Sequence, residues 1–261
     1  MRILLSNDDG ADAPGLVALY GAVADLGEIT VAAPARHQSA AGHAITLKRP
    51  LPVERRPLGP LADVTVLSID GTPADCVRLA ARRLMPQPPQ LVLSGLNAGA
   101  NVGINVFYSG TVAAAAEAAM TGIPAVALSV ELAGDEADFA RAARIARHVL
   151  DRLLAAGLGA GELLNVNIPH APPTPKGLRV VRQSTSGIED IYTRHAPDHP
   201  AETYLLADEY RFLEYADDDV AALADGFVTV TPLRIDMTDH SQLAAFDRQL
   251  GDHVFEDRDA Q

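Results

Sequence analysis

The stretch Arg2-Ile3-Leu4-Leu5-Ser6-Asn7-Asp8-Asp9-Gly10 decides the fold. Ile3, Leu4 and Leu5 are apolar at consecutive positions, so both faces of an extended segment are greasy. That is the mark of a strand covered on both sides, as in a parallel sheet under two layers of helix. The run stops on an amide and two carboxylates. Asp12 then reads as a helix cap, with Pro14 in the first turn and Leu16, Leu19, Tyr20 and Val23 as the buried stripe.

The same unit recurs along the chain. Ile29–Ala33, Val64–Ile69, Gln90–Ser94, Ala125–Val130 and Leu163–Ile168 read as strands. Thr72 caps a helix with Pro73 at its first position and Asp75 three residues after the cap. Ser109 or Thr111 opens an alanine-rich helix through Met120, and Asp135–Leu154 is a long amphipathic one. This order predicts an α/β fold, a mostly parallel sheet with helices on both faces. The pattern changes after Pro169, where Pro172, Pro173 and Pro175 end the alternation. Residues 176–235 read as strands and loops, with Val180–Arg182, Thr203–Leu206 and Phe227–Pro232 as strands and Asp217-Asp218-Asp219 as a solvated turn. A short helix near Ser241–Leu250 follows. The expected division is a catalytic core over 1–175 and a β-rich C-terminal extension over 176–261. Within the extension, about 185–225 forms an arm that packs on a neighbouring subunit.

Composition narrows the function. The 261 residues carry 21 basic and 34 acidic side chains, a formal charge of −13. Such a chain offers no broad basic surface for a nucleic-acid polymer. A small anionic substrate fits only where a metal or helix N-termini offset the charge. The one cysteine, Cys76, forbids an intrachain disulfide and reads as a buried structural thiol, consistent with a reducing cytoplasm. The N-terminal apolar run is too short for a signal peptide. The longest apolar stretch, Val112–Val130, is broken by Glu117, Gly122 and Pro124, so no membrane span is expected.

Ligands of open parallel sheets bind beyond the carboxyl ends of the strands. The segments found there are Asn7–Gly10, Pro34–Gly42 and Gly95–Gly103. Together they supply two carboxylates, a hydroxyl and amide oxygens. An all-oxygen set suits Mg²⁺ or Mn²⁺ better than Zn²⁺. Locally, Asp8 and Asp9 read equally well as a turn or helix cap. The glycines at 95, 99 and 103 match neither the dinucleotide fingerprint nor a P-loop and, taken alone, describe a tight surface loop. Tyr108-Ser109-Gly110-Thr111-Val112 places hydroxyls and an unhindered glycine at a helix mouth, which serves either as an anion site or as an ordinary N-cap. His37 and His43 flank Ser39, and His240 braces the C-terminal helix.

These blocks, with Ala33-Pro34, Gly71–Val77, Leu164–Pro169 and Thr231–Thr238, together resemble the SurE (survival protein E) family in family order across nearly the whole chain. The resemblance implies a Rossmann-like core with a C-terminal extension exchanged between subunits, as a homodimer or dimer of dimers. It implies one divalent cation per subunit, Mg²⁺ or Mn²⁺, held by Asp8, Asp9, Ser39 and Asn97. The activity implied is phosphomonoester hydrolysis of nucleoside 5′- and 3′-monophosphates, some members also acting on short polyphosphate. On that basis Asp8 orients or deprotonates the attacking water, with direct attack by Asp8 as the alternative. Asn101, Ser109, Gly110 and Thr111 hold the phosphate oxygens. Two departures stand out: Ile104-Asn105, where many relatives have an acidic residue, and Ala40-Ala41-Gly42-His43. The rivals are a nucleotide sensor without turnover and a nucleotide-dependent oxidoreductase. The missing Gly-x-Gly-x-x-Gly after the first strand counts against the second.

Overall fold

The computed structural model describes residues 1–186, 192–195, 201–206 and 217–251, and the backbone of 188–189 and 211–212. In chain order the strands are β1 (Arg2–Ser6), β2 (Glu28–Pro34), β3 (Val53–Leu58), β4 (Leu61–Ile69), β5 (Leu91–Ala98), β6 (Ala125–Val130) and β7 (Leu163–Ile168). They continue with β8 (Leu178–Val180), β9 (Ile188–Glu189), β10 (Tyr192–His195), β11 (Thr203–Leu206), β12 (Arg211–Phe212) and β13 (Val228–Leu233). The helices are α1 (Pro14–Val23), α2 (Pro73–Leu79), α3 (Gly110–Ala119), α4 (Phe139–Ala156), α5 (Asp219–Ala224) and α6 (Leu243–Leu250). One nine-stranded sheet has the order β3-β4-β2-β1-β5-β6-β7-β13-β8. Its six central strands are parallel, while β3 and β13 run antiparallel to β4 and β7. The expected Rossmann-like, mostly parallel architecture is what forms.

The consecutive apolar residues of β1 explain the layering. Ile3 and Leu5 join one core cluster with Leu16 and Leu19 of α1 and Leu150 of α4. Leu4 joins the other, with Val77 of α2 and Val112 and Ala115 of α3. Each fully buried leucine of this kind contributes about 1.5–3 kcal/mol. Every residue of α3 is buried, and its alanines let the helix lie close to the sheet and to α2. The chain builds outward from β1 in one direction through β2 and β4, then returns to add β5, β6 and β7 on the other side. The strand order therefore reverses between β1 and β5, which is where such sheets open a crevice.

Several local expectations are corrected. Residues 53–58 form an edge strand that charge had concealed, since Glu54, Arg55 and Arg56 interrupt any apolar pattern and suit an exposed edge. Asp12 does not cap α1; Arg56 holds it at 2.9 Å, and the cap position is Ala13. Asp138 caps α4 by accepting from the Arg141 amide at 2.9 Å, so the helix begins at Phe139 rather than at Asp135. The acidic run at 217–219 is not a solvated turn. Asp218 caps α5, and Asp219 is buried, accepting from the amides of Gly103 at 3.0 Å and Ser184 at 2.8 Å.

Beyond Pro169 the chain turns under control of a buried cation. Arg141 donates to the carbonyls of Pro169 and Pro172 at 2.8 Å and of Pro173 at 2.7 Å. The turn delivers β8 and β13 to the far edge of the core sheet, so the sheet crosses residue 175. In the expected arm, β10 and β11 pair antiparallel as an exposed hairpin, and β9 pairs with β12. Residues 187, 190–191, 196–200, 207–210 and 213–216 of that arm lie outside the described residues. Among the described residues no helix is long and apolar enough to cross a membrane. Cys76 is a free thiol, buried in α2, which pushes its pKa well above the usual range, with Asp75 adding to the effect.

Candidate active site

The crevice at the strand reversal is built first by glycine and asparagine. Asn7, fully buried, closes the loop after β1 on itself: its Nδ2 donates to the Gly10 carbonyl at 3.0 Å and its Oδ1 accepts from the Gly10 amide at 3.2 Å. Gly10 has φ +104, a conformation that side chains resist. This turn sets Asp8 and Asp9 at the head of β1. On the neighbouring strand, β5 carries an extra residue between Ser94 and Asn97 relative to β6. Gly95 permits it, with φ +138 and the Leu128 carbonyl only 2.2 Å from where a Cβ would stand. Bulges of this type re-aim the side chains that follow. The residue re-aimed here is Asn97, whose Nδ2 donates to the Gly99 carbonyl at 2.7 Å.

Asp8 sits against the mouth of α3. Thr111 donates its hydroxyl to Asp8 Oδ1 in a short hydrogen bond. A Cβ on Gly110 would stand 2.7 Å from Asp8 Cβ and 2.9 Å from its Oδ2, so only glycine lets the carboxylate approach. Ser109 is the N-cap, its Oγ accepting from the Val112 amide at 3.1 Å. Asp9 meets the loop after β2 instead. His37 Nδ1 lies 3.2 Å from Asp9 Oδ1, and the other ring nitrogen of His37 makes a short hydrogen bond with Ser39 Oγ. The Ala98 amide also hydrogen-bonds to Asp9. The structure thus gathers Asp8, Asp9, Ser39, Asn97, Gly110 and Thr111 at one crevice from β1, the β2 loop, β5 and α3.

Both carboxyls are held above the ordinary aspartate range. Burial is the main cause for Asp8, which is 6% exposed, partly opposed by the Thr111 hydrogen bonds and by His37. For Asp9 burial comes first and the charge of Asp8 second, with His37 and the Ala98 amide opposing. Two adjacent acids with this difficulty ionising are what a bound cation relieves. The donor set fits a hard divalent ion: two carboxylates, a hydroxyl and an amide oxygen, with no sulfur. Among the described residues no group of three or more His, Cys, Asp and Glu side chains forms a metal cage. Ser39 and Asn97 add a neutral hydroxyl and an amide oxygen to the two carboxylates.

Asn101 is placed differently from the others. It is buried within a polar network, its Nδ2 donating to Ser129 at 2.9 Å and its amide to Asn167 Oδ1 at 2.7 Å. Its carbonyl accepts from Asn165 at 2.7 Å and Asn167 at 3.2 Å. Asp219 and Gln183, which donates to the Gly103 carbonyl at 2.9 Å, hold the end of the same loop. Sequence reasoning did not single out these supporting groups. The readable signal was Asn165 and Asn167, two amides on one side of an otherwise apolar strand, since a buried amide requires a partner.

Beside the α3 mouth lies a mostly apolar cavity of about 460 Å³, whose walls include His43, Phe107, Ser109, Val112, Ile235 and Met237. A larger groove of about 690 Å³ between α1 and α4 touches none of the crevice side chains. The chemistry, rather than the size of the opening, locates the site.

Comparison with known proteins agrees. The sequence profile described as "Survival protein SurE" matches residues 3–190. The protein named 5′-nucleotidase SurE 1 from Thermus thermophilus is 42% identical over 245 residues, covering 94% of this chain and 96% of that one. The 5′-nucleotidase SurE of Moorella thermoacetica is 42% identical over 253 residues, with the same coverage. The crystal structure of the SurE protein from Aquifex aeolicus superposes with a TM-score of 0.81 at 34% identity, covering 96% of this chain and 100% of that one. A profile match over most of the chain, near-full-length relatives and a shared fold lead to one conclusion: the chain belongs to the SurE family.

Proposed function

We propose that the protein is a cytoplasmic, divalent-metal-dependent 5′-nucleotidase that releases phosphate from nucleoside 5′-monophosphates and also accepts 3′-monophosphates. The observation that carries this reading is the contact between buried Asp8 and the mouth of α3, which puts a charged oxygen cluster beside an anion-binding helix end. The near-full-length relatives named 5′-nucleotidase support it. Asp8, Asp9, Ser39 and Asn97 would hold Mg²⁺ or Mn²⁺, one per subunit. When bound, such an ion offsets charge on the phosphate oxygens and acidifies water.

The chain's own groups do the rest. Asp8 orients the attacking water and takes its proton, its Oδ1 held in place by the Thr111 hydroxyl. The α3 mouth at Ser109, Gly110 and Thr111 would receive the phosphoryl group with Asn101 as a further contact, Thr111 giving its hydroxyl and its amide to Asp8. The apolar cavity beside Ser109 receives the nucleoside. The test is phosphate release from nucleoside monophosphates with and without chelator. Activity should vanish on chelation and return with Mn²⁺ or Mg²⁺ but not with K⁺. Full turnover in metal-free protein, or metal binding with no turnover on any nucleotide, would replace this reading, the second outcome with a sensor.

The assembly we propose is a homodimer or a dimer of dimers. In its support, the β10–β11 hairpin exposes Tyr192, Tyr204, Leu205 and Leu206, and α6 buries no residue while exposing Leu243, Phe246 and Leu250. A two-stranded hairpin of this kind is marginal in water unless covered. Light scattering coupled to size exclusion is expected to give a multiple of the 27.5 kDa chain mass. A stable monomer at micromolar concentration rules the assembly out.

A further inference from the structure

The segment that carries Ser39 runs from β2 to β3 with no regular structure, residues 35–52. Its tip is conformationally costly: Ala40 has φ +54, a region that L-residues resist, and Gly42 has the same φ. Something must hold it. Backbone amides of the segment are held at three points, Gln38 N by the Asp8 carbonyl at 2.9 Å, Gly42 N by the Tyr108 carbonyl at 3.0 Å and Thr46 N by the Asp75 carboxylate at 3.0 Å. Between them, His43 Nε2 lies 3.1 Å from Glu117 Oε2. Glu117 is the one acidic residue of α3, 3% exposed, two turns beyond the helix mouth. Its other oxygen lies 2.9 Å from Arg78 Nε on α2. A buried carboxylate in an alanine helix is expensive unless paired. Here Arg78 offsets its charge, while His43 takes the remaining oxygen from the active-site loop.

We propose that His43 and Glu117 are positioning residues for Ser39. The contacts Arg78–Glu117–His43 tie the Ser39 loop to the helix whose mouth faces Asp8, so the hydroxyl and the α3 mouth keep one geometry. This rests on the metal reading above, because Ser39 acts there as a ligand. Outer partners of metal ligands usually change metal affinity by ~10–100-fold when removed.

The experiment compares the parent with His43→Ala, His43→Gln and Asp9→Ala. It measures Mn²⁺ binding by titration calorimetry, amide hydrogen exchange over residues 38–46, and kcat and KM. His43→Ala should bind Mn²⁺ about 10-fold more weakly, exchange faster at the Ser39 loop, and lose kcat, with any rise in KM reporting the place of His43 in the cavity wall. His43→Gln keeps a donor toward Glu117 and should recover most of both effects. His43 is partly exposed, so loss of the whole fold is not expected, and circular dichroism checks that. Unchanged Mn²⁺ affinity in His43→Ala overturns the proposal alone. A parent that binds no Mn²⁺, or Asp9→Ala binding it like the parent, overturns the metal reading and the proposal with it.

Discussion

Asp8→Asn is expected to abolish most phosphate release while making the metal-free protein more heat-stable than the parent. The two effects share one cause. Burial holds the Asp8 carboxyl above the ordinary range, so the folded protein retains a proton at pH values where the unfolded chain has lost it. Stability therefore falls as pH rises through the raised value, and at neutral pH the full penalty of a buried charge is present. The amide of the same shape keeps an acceptor for the Thr111 hydroxyl and removes the charge. It cannot take a proton from water and is a poorer ligand, so turnover should fall by ~10²–10⁴-fold. Thermal melts in chelator at neutral and acidic pH, with phosphate-release kinetics, check both halves. The melting advantage should shrink as pH falls. Near-parental turnover would remove Asp8 from the proton-accepting role.

Gly110→Ala is the second variant with a large expected effect, and its sign runs against helix propensity. Alanine is favoured over glycine in helix interiors by about 1 kcal/mol, and φ at 110 is not in the left-handed region. The added methyl, however, would stand 2.7 Å from Asp8 Cβ and 3.0 Å from the Pro73 ring. Asp8 must move away from Thr111, and a displacement near 1 Å costs on the order of 10²-fold in rate. Kinetics and Mn²⁺ titration should show kcat and metal affinity falling together in a protein with unchanged far-ultraviolet circular dichroism. Parental kinetics would mean that the α3 mouth is an ordinary cap.

The legible parts of this chain were those where one residue type has one use. Buried parallel strands need continuous apolar runs, so β1, β6 and β7 could be read directly, whereas β5 was read only to Ser94 because the bulge at Gly95 hides its continuation to Ala98. Thr72, Pro73 and Asp75 gave the start of α2, where the structure has a reciprocal capping box. The edge strand β3 was hidden because exposure relieves it of any apolar pattern. Asp218 and Asp219 were misread because a local run of acids resembles a solvated turn; Asp218 is instead the cap of α5, and the partners of Asp219, Gly103 and Ser184, are distant in sequence. The same holds at the crevice. Asp8, Asp9 and the Gly110–Thr111 mouth could be placed at strand and helix ends, though local sequence fits a plain turn or cap as well, and the bridge from Asp9 through His37 to Ser39 needs the folded loop. The pairing of Glu117 with His43 spans 74 residues, and no local spacing encodes it.

Asn165 and Asn167 have a consequence for how the sheet assembles. They sit on one side of β7, both fully buried, while Val166 and Ile168 fill the apolar core on the other. If β7 slipped by one residue during folding, every side chain would change sides. Two amides would then face hydrocarbon, at about 1–3 kcal/mol for each unsatisfied group, and valine and isoleucine would face the Asn101 carbonyl. A slipped sheet would thus be penalised twice and would also release the Gly99–Gly103 loop at Asn101. The asparagine pair therefore favours one register of β7, the register in which both amides reach the Asn101 carbonyl.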